Sequence, residues 1–389
     1  MSDAVDVAVI GGGIIGASVA FHLKERAPHL RVALLEKDPF LGAGATSRAT
    51  GGVRLQFATE ANIRLSLMSI PYFEEFEQRF GVDPGFRRHG YLFVTADRAR
   101  LPAMQAQVAL QNRLGVNSAL VSGLETGRLC PPLRTDDLVG GTFCRQDGSL
   151  DPHSLVQGFL ARFRQAGGEV LTDAEVTGLT WSDGPDGSRT WQVRAAGRCW
   201  ESGQVVVAAG PHSDQVMAKA GVEVPSKPYG RQVFVLKPHP DVPGDIPMVV
   251  DADTGWYVHA EPGGALLLGG TDKDIRPGLR HDVDWDLFDR VYDAAAHRMP
   301  VLADAEMLRA YAGVRQLTPD HHPVLGPVGG MPGLYLACGF SGHGIMHSPA
   351  VGLLLSEWVL DGRPLSWDAR CLTLERFERG ELLDESAVF

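Results

Sequence analysis

The chain has 389 residues, 44% of them hydrophobic and 21% charged, and a formal net charge of −11. That length exceeds one simple pair of packed layers, so two joined domains are expected. The acidic balance argues against nucleic acid or an anionic membrane as a partner, and no apolar run approaches the ~20 residues that span a bilayer.

Residues 5–37 hold the most informative pattern. Gly11, Gly13 and Gly16 follow an apolar run in G-x-G-x-x-G spacing, a helical pattern comes next, and a second apolar run ends in Glu36-Lys37. This is a complete βαβ dinucleotide-binding unit. Gly11 allows the tight turn, Gly13 admits a pyrophosphate, and Gly16 lets helix and strand pack closely. Ile14 and Ile15 open a helix whose free N–H groups face negative charge. Glu36 is placed to accept hydrogen bonds from an adenosine ribose. The unit leaves NAD, NADP and FAD open, although a Glu here disfavours a 2′-phosphate. With a strand this near the start there is no room for a secretory signal. The five scattered cysteines (Cys130, Cys144, Cys199, Cys338, Cys371) lack a CxxC pair, so a reduced cytoplasmic protein is expected. His321-His322 and His343/His347 lack the acidic or thiolate neighbours of a metal site, and none is expected.

Next comes a loop of small residues, 41–57, with Thr46, Ser47, Arg48, Gly51, Gly52, Val53 and Arg54 suited to close approach of a ligand. Residues 60–80 read as one amphipathic helix with Ile63, Leu67, Ile70, Phe73 and Phe76 in its stripe. Asp151-Pro152 starts another helix, buried through Leu155, Phe159, Leu160 and Phe163 and ended by Gly167-Gly168. A strand at 169–171, a hairpin-like pair reaching Val193, and the buried run 204–210 ending in Ala209-Gly210 follow. Residues 225–310 carry short strand-like runs, suggesting a mixed or antiparallel sheet, and a helix over 285–298. The last third returns to glycine-rich texture. A buried strand enters Gly339-Phe-Ser-Gly342-His343-Gly344, and a helix opens through Ile345 and Met346.

These strings, with DPHSL, VVVAAGPHS and YAGVRQLTPDHHPVLG (residues 311–326), resemble the FAD-dependent D-amino acid oxidase, glycine oxidase and sarcosine oxidase superfamily over nearly the whole chain. AGVEVPSKPYGRQVFVL (residues 220–236) looks most like the β subunits of heteromeric sarcosine oxidase and proline dehydrogenase. The resemblance selects FAD over NAD. It implies an α/β fold, with a Rossmann-like FAD-binding domain (1–85, 148–222 and 311–389) and an inserted strand-rich α+β substrate domain (86–147 and 223–310).

The family oxidises amines by hydride transfer to flavin N5, and the imine product then hydrolyses. The resemblance therefore implies a small amine or amino acid as substrate and an electron acceptor or partner subunit. A flavin 2-hydroxy acid dehydrogenase, or a flavoprotein subunit or assembly factor with little activity alone, are the competing readings. Phe57 and Met346 stand where monomeric sarcosine oxidases hold a carboxylate with an Arg–Lys pair. Arg315 stands in the arginine position of a Gly-x-Arg-Pro segment, with Gln316 replacing the proline, and becomes the carboxylate candidate. Arg54 and His343 fall near the ring, and Tyr257 and Trp256 are candidate pocket walls. Val176 reaches adenine through its backbone. Gly313 occupies the position of a covalent cysteine, so FAD is expected to bind non-covalently. The oxygen-activating lysine position falls near Leu267, so a dehydrogenase passing electrons to another acceptor competes with an oxidase.

Overall fold

The computed structural model describes residues 2–183, 189–270 and 277–386. Strand β1 (Ser2–Ile10), helix α1 (Ile14–Arg26) and β2 (Val32–Leu35) form the opening unit. The loop after it carries a short β3 (Gly52–Val53), then α2 (Glu60–Glu74) and α3 (Phe76–Phe80). An excursion follows through β4 (Tyr91–Thr95), α4 (Leu101–Arg113), β5 (Ser118–Val121), α5 (Gly123–Leu129) and β6 (Gly140–Cys144). The chain returns by β7 (Gly148–Ser149), α6 (Pro152–Gln165) and β8 (Glu169–Leu171), and continues into β9 (Val176–Asp183), β10 (Arg189–Ala195), β11 (Arg198–Val207) and α7 (Ser213–Ala218). The turn of the expected hairpin, 184–188, lies outside the described residues. A second excursion holds β12 (Lys227–Leu236), β13 (Met248–Asp251), β14 (Tyr257–Ala260), β15 (Leu266–Gly269), α8 (Trp285–Arg298) and β16 (Met307–Leu317). Then β17 (Val324–Pro327), β18 (Leu334–Cys338) and α9 (Gly344–Asp361) close the fold.

Two eight-stranded sheets form among the described residues. In the first, β18, β11, β1, β2 and β8 run parallel, as βαβ connections require, and β17 and the β9–β10 pair attach antiparallel. Helices α1, α6 and α9 cover one face around Val9, Leu34, Phe159 and Leu354. The other face packs on the β9–β10 meander and α7. Asp151 caps α6 as its sequence signals: its carboxylate accepts from the backbone N–H of His153 (3.1 Å) and Ser154 (3.0 Å).

The second sheet has the order β16-β12-β15-β14-β13-β4-β6-β5, antiparallel except for β4 against β13. Leu92, Val94, Val249 and Val258 face a core closed by α8. Tyr91, Phe93, Met248, Val250 and Tyr257 alternate onto the opposite face, toward the first sheet. The α/β class and the inserted strand-rich unit therefore stand as read from the sequence.

Two local expectations change. Residues 60–80 form two helices that part at Glu75, and Leu67 is only half-buried while Leu65 enters the core. The α2 face turned to α9 is polar rather than apolar. Ser66 Oγ lies 3.1 Å from His347 Nε2, and Ser69 Oγ accepts from the Ala350 N–H at 3.3 Å. The proposed boundary at 311 cuts through β16, whose residues pair with β12 as far as Leu317. Residues 311–317 thus extend the second sheet, and the chain re-enters the first at β17.

Candidate active site

A cavity of about 620 Å³ runs between the two sheets, from the opening glycine turn to the N-terminus of α9. At its first end Gly11 adopts φ +111°, and a Cβ there would stand 2.4 Å from the Ala208 carbonyl oxygen. A Cβ on Gly16 would overlap the Gly11 carbonyl, so Gly16 serves the packing of the turn and is not on the cavity wall. Thr46 Oγ1 accepts the Ile14 N–H at 3.1 Å. Glu36 Oε2 accepts the Gly12 N–H at 2.6 Å, and its Oε1 accepts from Asp38 N–H at 2.9 Å. The carboxylate is thereby fixed at the wall. Val176, Ala209, Gly210, Ile15 and Lys37 complete this end.

The opposite end is built on the α9 N-terminus. Gly339 (φ +70°), Ser341 (φ +53°) and Gly342 (φ +91°) bend the chain so that Gly344, Ile345 and Met346 open the helix at the cavity. These first N–H groups have no carbonyl one turn back and carry the positive end of the helix dipole. No side chain caps them. Gln316 explains why the loop lies there. Its Oε1 accepts the Gly339 N–H at 3.0 Å, its Nε2 donates to Ser226 Oγ at 2.8 Å, and its backbone carbonyl accepts from Ser341. A proline at this position would have no side-chain amide to make the first two bonds.

Among the described residues four arginines line the cavity: Arg48, Arg54, Arg231 and Arg315. Arg48 donates to the carbonyls of Ala43 and Gly44, bracing the small-residue loop beside Gly313. Arg54 is buried, its Nη1 donating to the Gln56 carbonyl (3.1 Å) and its Nη2 lying 3.1 Å from His343 Nε2. A guanidinium only donates, so His343 Nε2 must accept and the ring is neutral. Burial, and then the nearby Arg54, hold the His343 imidazole well below its usual range, in agreement. Phe57 lies under the Arg54 guanidinium, 4.1 Å away, and edge-on to His343.

Arg315 and Arg231 project from one face of the β12–β16 pair, where Arg231 faces Gly313 and Arg315 faces Tyr229 across the ladder. Tyr257 reaches the same space from β14. Its opposite residue is Gly269, where a Cβ would overlap the tyrosine ring and hydroxyl, so the missing side chain lets the ring lie across the sheet. Burial raises the Tyr257 pKa, while Arg315 and Arg231 pull it down. Burial lowers that of Arg315, and the two tyrosines Tyr257 and Tyr91 oppose the shift. Among the described residues the acids on the wall are Glu36, Asp38 and Glu175, with Lys37 beside the first two, while Arg54 and Arg315 lie at the α9 end.

Most sequence-derived residues meet at this cavity, including Thr46, Gly51, Gly52, Gly313 and residues 339–346. Ser47 and Val53 do not reach the wall. Ser47 Oγ bonds back to the Ala43 and Gly44 carbonyls, and Val53 points into the core under α9. Trp256 is also off the wall: strand alternation sends it into the α8 core, opposite to Tyr257. Leu267 is not on the wall; it packs on Val235 and on Val233, which is. Tyr91, Phe93, Met248 and Val250 were not foreseen, and their alternation in β4 and β13 was the available signal. Among the described residues no three His, Cys, Asp or Glu side chains are placed to hold a metal. His322 bonds Thr59 and the Asp320 carbonyl instead.

The cavity has the form of a dinucleotide cradle. Gly44 and Gly210 line it with nothing within 4 Å of the position a Cβ would take, so side chains there would occupy the space of a ligand. Residues 6–358 match the family described as DAO, FAD dependent oxidoreductase. The chain belongs to that family. It is a FAD enzyme, and among the described residues no cysteine lines the cavity, in keeping with non-covalent binding. The human mitochondrial sarcosine dehydrogenase is 28% identical over 373 residues, covering 92% of this chain and 40% of that protein. The chain thus spans about two fifths of that relative. Among solved structures, L-proline dehydrogenase from P. horikoshii superposes with a TM-score of 0.90 at 28% identity, covering 98% of this chain and 100% of that one. Glycine oxidase from Geobacillus kaustophilus gives 0.85 at 25% identity, covering 96% and 99%. No helix among the described residues is long and apolar enough to cross a membrane.

Proposed function

We propose that this family member oxidises the C–N bond of an amino acid or N-substituted amino acid whose carboxylate is held by Arg315. The observation that carries the reading is the placement of Arg315 and Tyr257 on one sheet face, above the α9 N-terminus and remote from the acidic wall residues. When bound, FAD would supply the two-electron acceptor for the hydride of the substrate carbon, and water would hydrolyse the imine product. The residues of the chain do the rest. Gly13, the α1 N-terminus and Glu36 would hold the pyrophosphate and ribose, and the Gly344–Met346 N–H groups would stabilise negative charge on the ring side.

Arg315 offers a planar fork to the carboxylate, with the Tyr257 hydroxyl as a further donor. The cationic end disfavours an ammonium, so the amine is held in its neutral form, the form that can give up hydride. Phe93, Met248 and Val250 exclude water from the reacting carbon. The names of the relatives, dehydrogenase and oxidase of secondary and primary amino acids, support the substrate class. Anaerobic mixing with N-methyl, cyclic and primary amino acids, alongside 2-hydroxy acids, tests the reading. Loss of flavin absorbance with amino acids supports it, whereas loss with hydroxy acids alone replaces it.

A further inference from the structure

Asp147 lies outside the cavity wall, fully buried in the turn between β6 and β7, and the chemistry described above makes no use of it. Its Oδ1 accepts the Leu55 N–H at 2.7 Å, and its Oδ2 accepts from Gln56 Nε2 at 2.9 Å. Gln56 passes the contact on in two directions. Its amide also donates to the Tyr91 carbonyl at 3.0 Å, and its backbone carbonyl receives Arg54 Nη1. Arg54 in turn donates to His343 at the N-terminus of α9. A buried carboxylate thus sits two residues behind a buried guanidinium, and both are bound to the same short segment.

We propose that Asp147 is a positioning residue that sets the field of Arg54 at the flavin ring, and so the reduction potential of the bound FAD. The inference rests on the placement of the ring end at Arg54, not on the identity of the substrate. A carboxylate held in a dry interior partly cancels the field of the guanidinium beside it. Protein charges near the ring are among the means by which an enzyme tunes a flavin. The titratable groups facing Asp147 are Arg54, Tyr91 and the Cys144 thiol, and Glu385 faces Arg54. Burial, opposed by Gln56, Leu55 and Arg54, pushes the Asp147 pKa up to about 7. The counter-charge is therefore present above neutrality and absent below it.

Asp147→Asn keeps the shape and the acceptor for Leu55. Its amide would face that of Gln56, which can turn its unpartnered Oε1 inward at the expense of the bond to the Tyr91 carbonyl. The test is the midpoint potential of FAD in the holoprotein at pH 8, for wild type, Asp147→Asn, Arg54→Gln and the double variant. The expected result is an upward shift in Asp147→Asn and a downward shift in Arg54→Gln. The double variant should lie above Arg54→Gln, because the two fields add at the ring wherever the carboxylate is ionised. An unchanged potential in Asp147→Asn overturns the proposal while leaving the site intact. No shift in Arg54→Gln overturns the placement of the ring as well. If Asp147→Asn does not fold, the pH dependence of the potential of the wild type from pH 6 to 8 decides. It should show an added rise as the pH falls through neutrality, and a curve without that rise would refute the proposal.

Discussion

Replacing Arg315 by Gln removes the guanidinium fork presented to the substrate and leaves the strand in place. A hydrogen bond to a charged group contributes about 1.5–3 kcal/mol, so two parallel bonds contribute about 3–6. Gln recovers one neutral bond of about 1 kcal/mol, leaving a net loss of about 2–5. At about 1.36 kcal/mol per decade this is a thirtyfold to several-thousandfold fall in kcat/KM. Arg315 is half-buried on the cavity wall, with its charge already penalised by burial, which argues for the upper part of that range. Arg315→Lys keeps the charge without the fork and should fall between. The assay is steady-state turnover with an artificial acceptor, run on an amino acid and on the same amine without its carboxylate. The variant should lose the first and leave the second, already poor, unchanged. Equal losses on both substrates would refute the reasoning, because they would mean that Arg315 supports the fold or the flavin rather than the carboxylate.

Three further outcomes follow from the same geometry. Gly342→Ala imposes φ +91° on a residue with a side chain, about 1–3 kcal/mol of strain, and its Cβ would stand 2.7 Å from Arg315 Nε. It should raise the KM for amino acids and weaken FAD, read by fluorescence titration. Asp320 and Arg376 form a buried two-bond pair, at 2.8 and 3.0 Å, so Asp320→Asn should cost about 3–5 kcal/mol in thermal or denaturant unfolding. Asp368→Asn, which breaks the exposed Arg370 pair, should hardly move the same curve. The Asp147 pKa is 3.8 unfolded and about 7 folded, so its contribution to stability is complete below about pH 4 and lost as pH rises through 7. Three units correspond to on the order of 4 kcal/mol at most. Asp147→Asn should flatten the decline in unfolding free energy between pH 4 and 7, and an unchanged slope would disprove this.

The parts of the site built from local rules were legible in the sequence. The Asp151 cap rests on residues two and three positions on, and the glycine turn with Glu36 belongs to one βαβ unit of fixed spacing. What the sequence concealed was long-range. Strand β13 lies in a region read only as short strand-like runs, and β4 was not read at all; both have two covered faces, one by a core and one by the cavity. Strand period alone would have separated Trp256 from Tyr257, since neighbours in a strand point to opposite faces. Gln316 looked like a departure from the family pattern, and its role appears only when Gly339, 23 residues on, folds against it. The split of α2 from α3, and the serines facing α9, were hidden because a polar helix contact leaves no apolar stripe.

Oxidation of a carboxylate-bearing amine at the α9 end of the cavity is read most directly by anaerobic titration of the FAD-loaded protein with matched pairs, an amino acid and its decarboxylated amine, followed in the flavin absorbance. The amino acids should bleach the flavin and the amines hardly at all at equal concentration. Bleaching by the amines alone, or by neither while dithionite still reduces the flavin, would contradict that assignment.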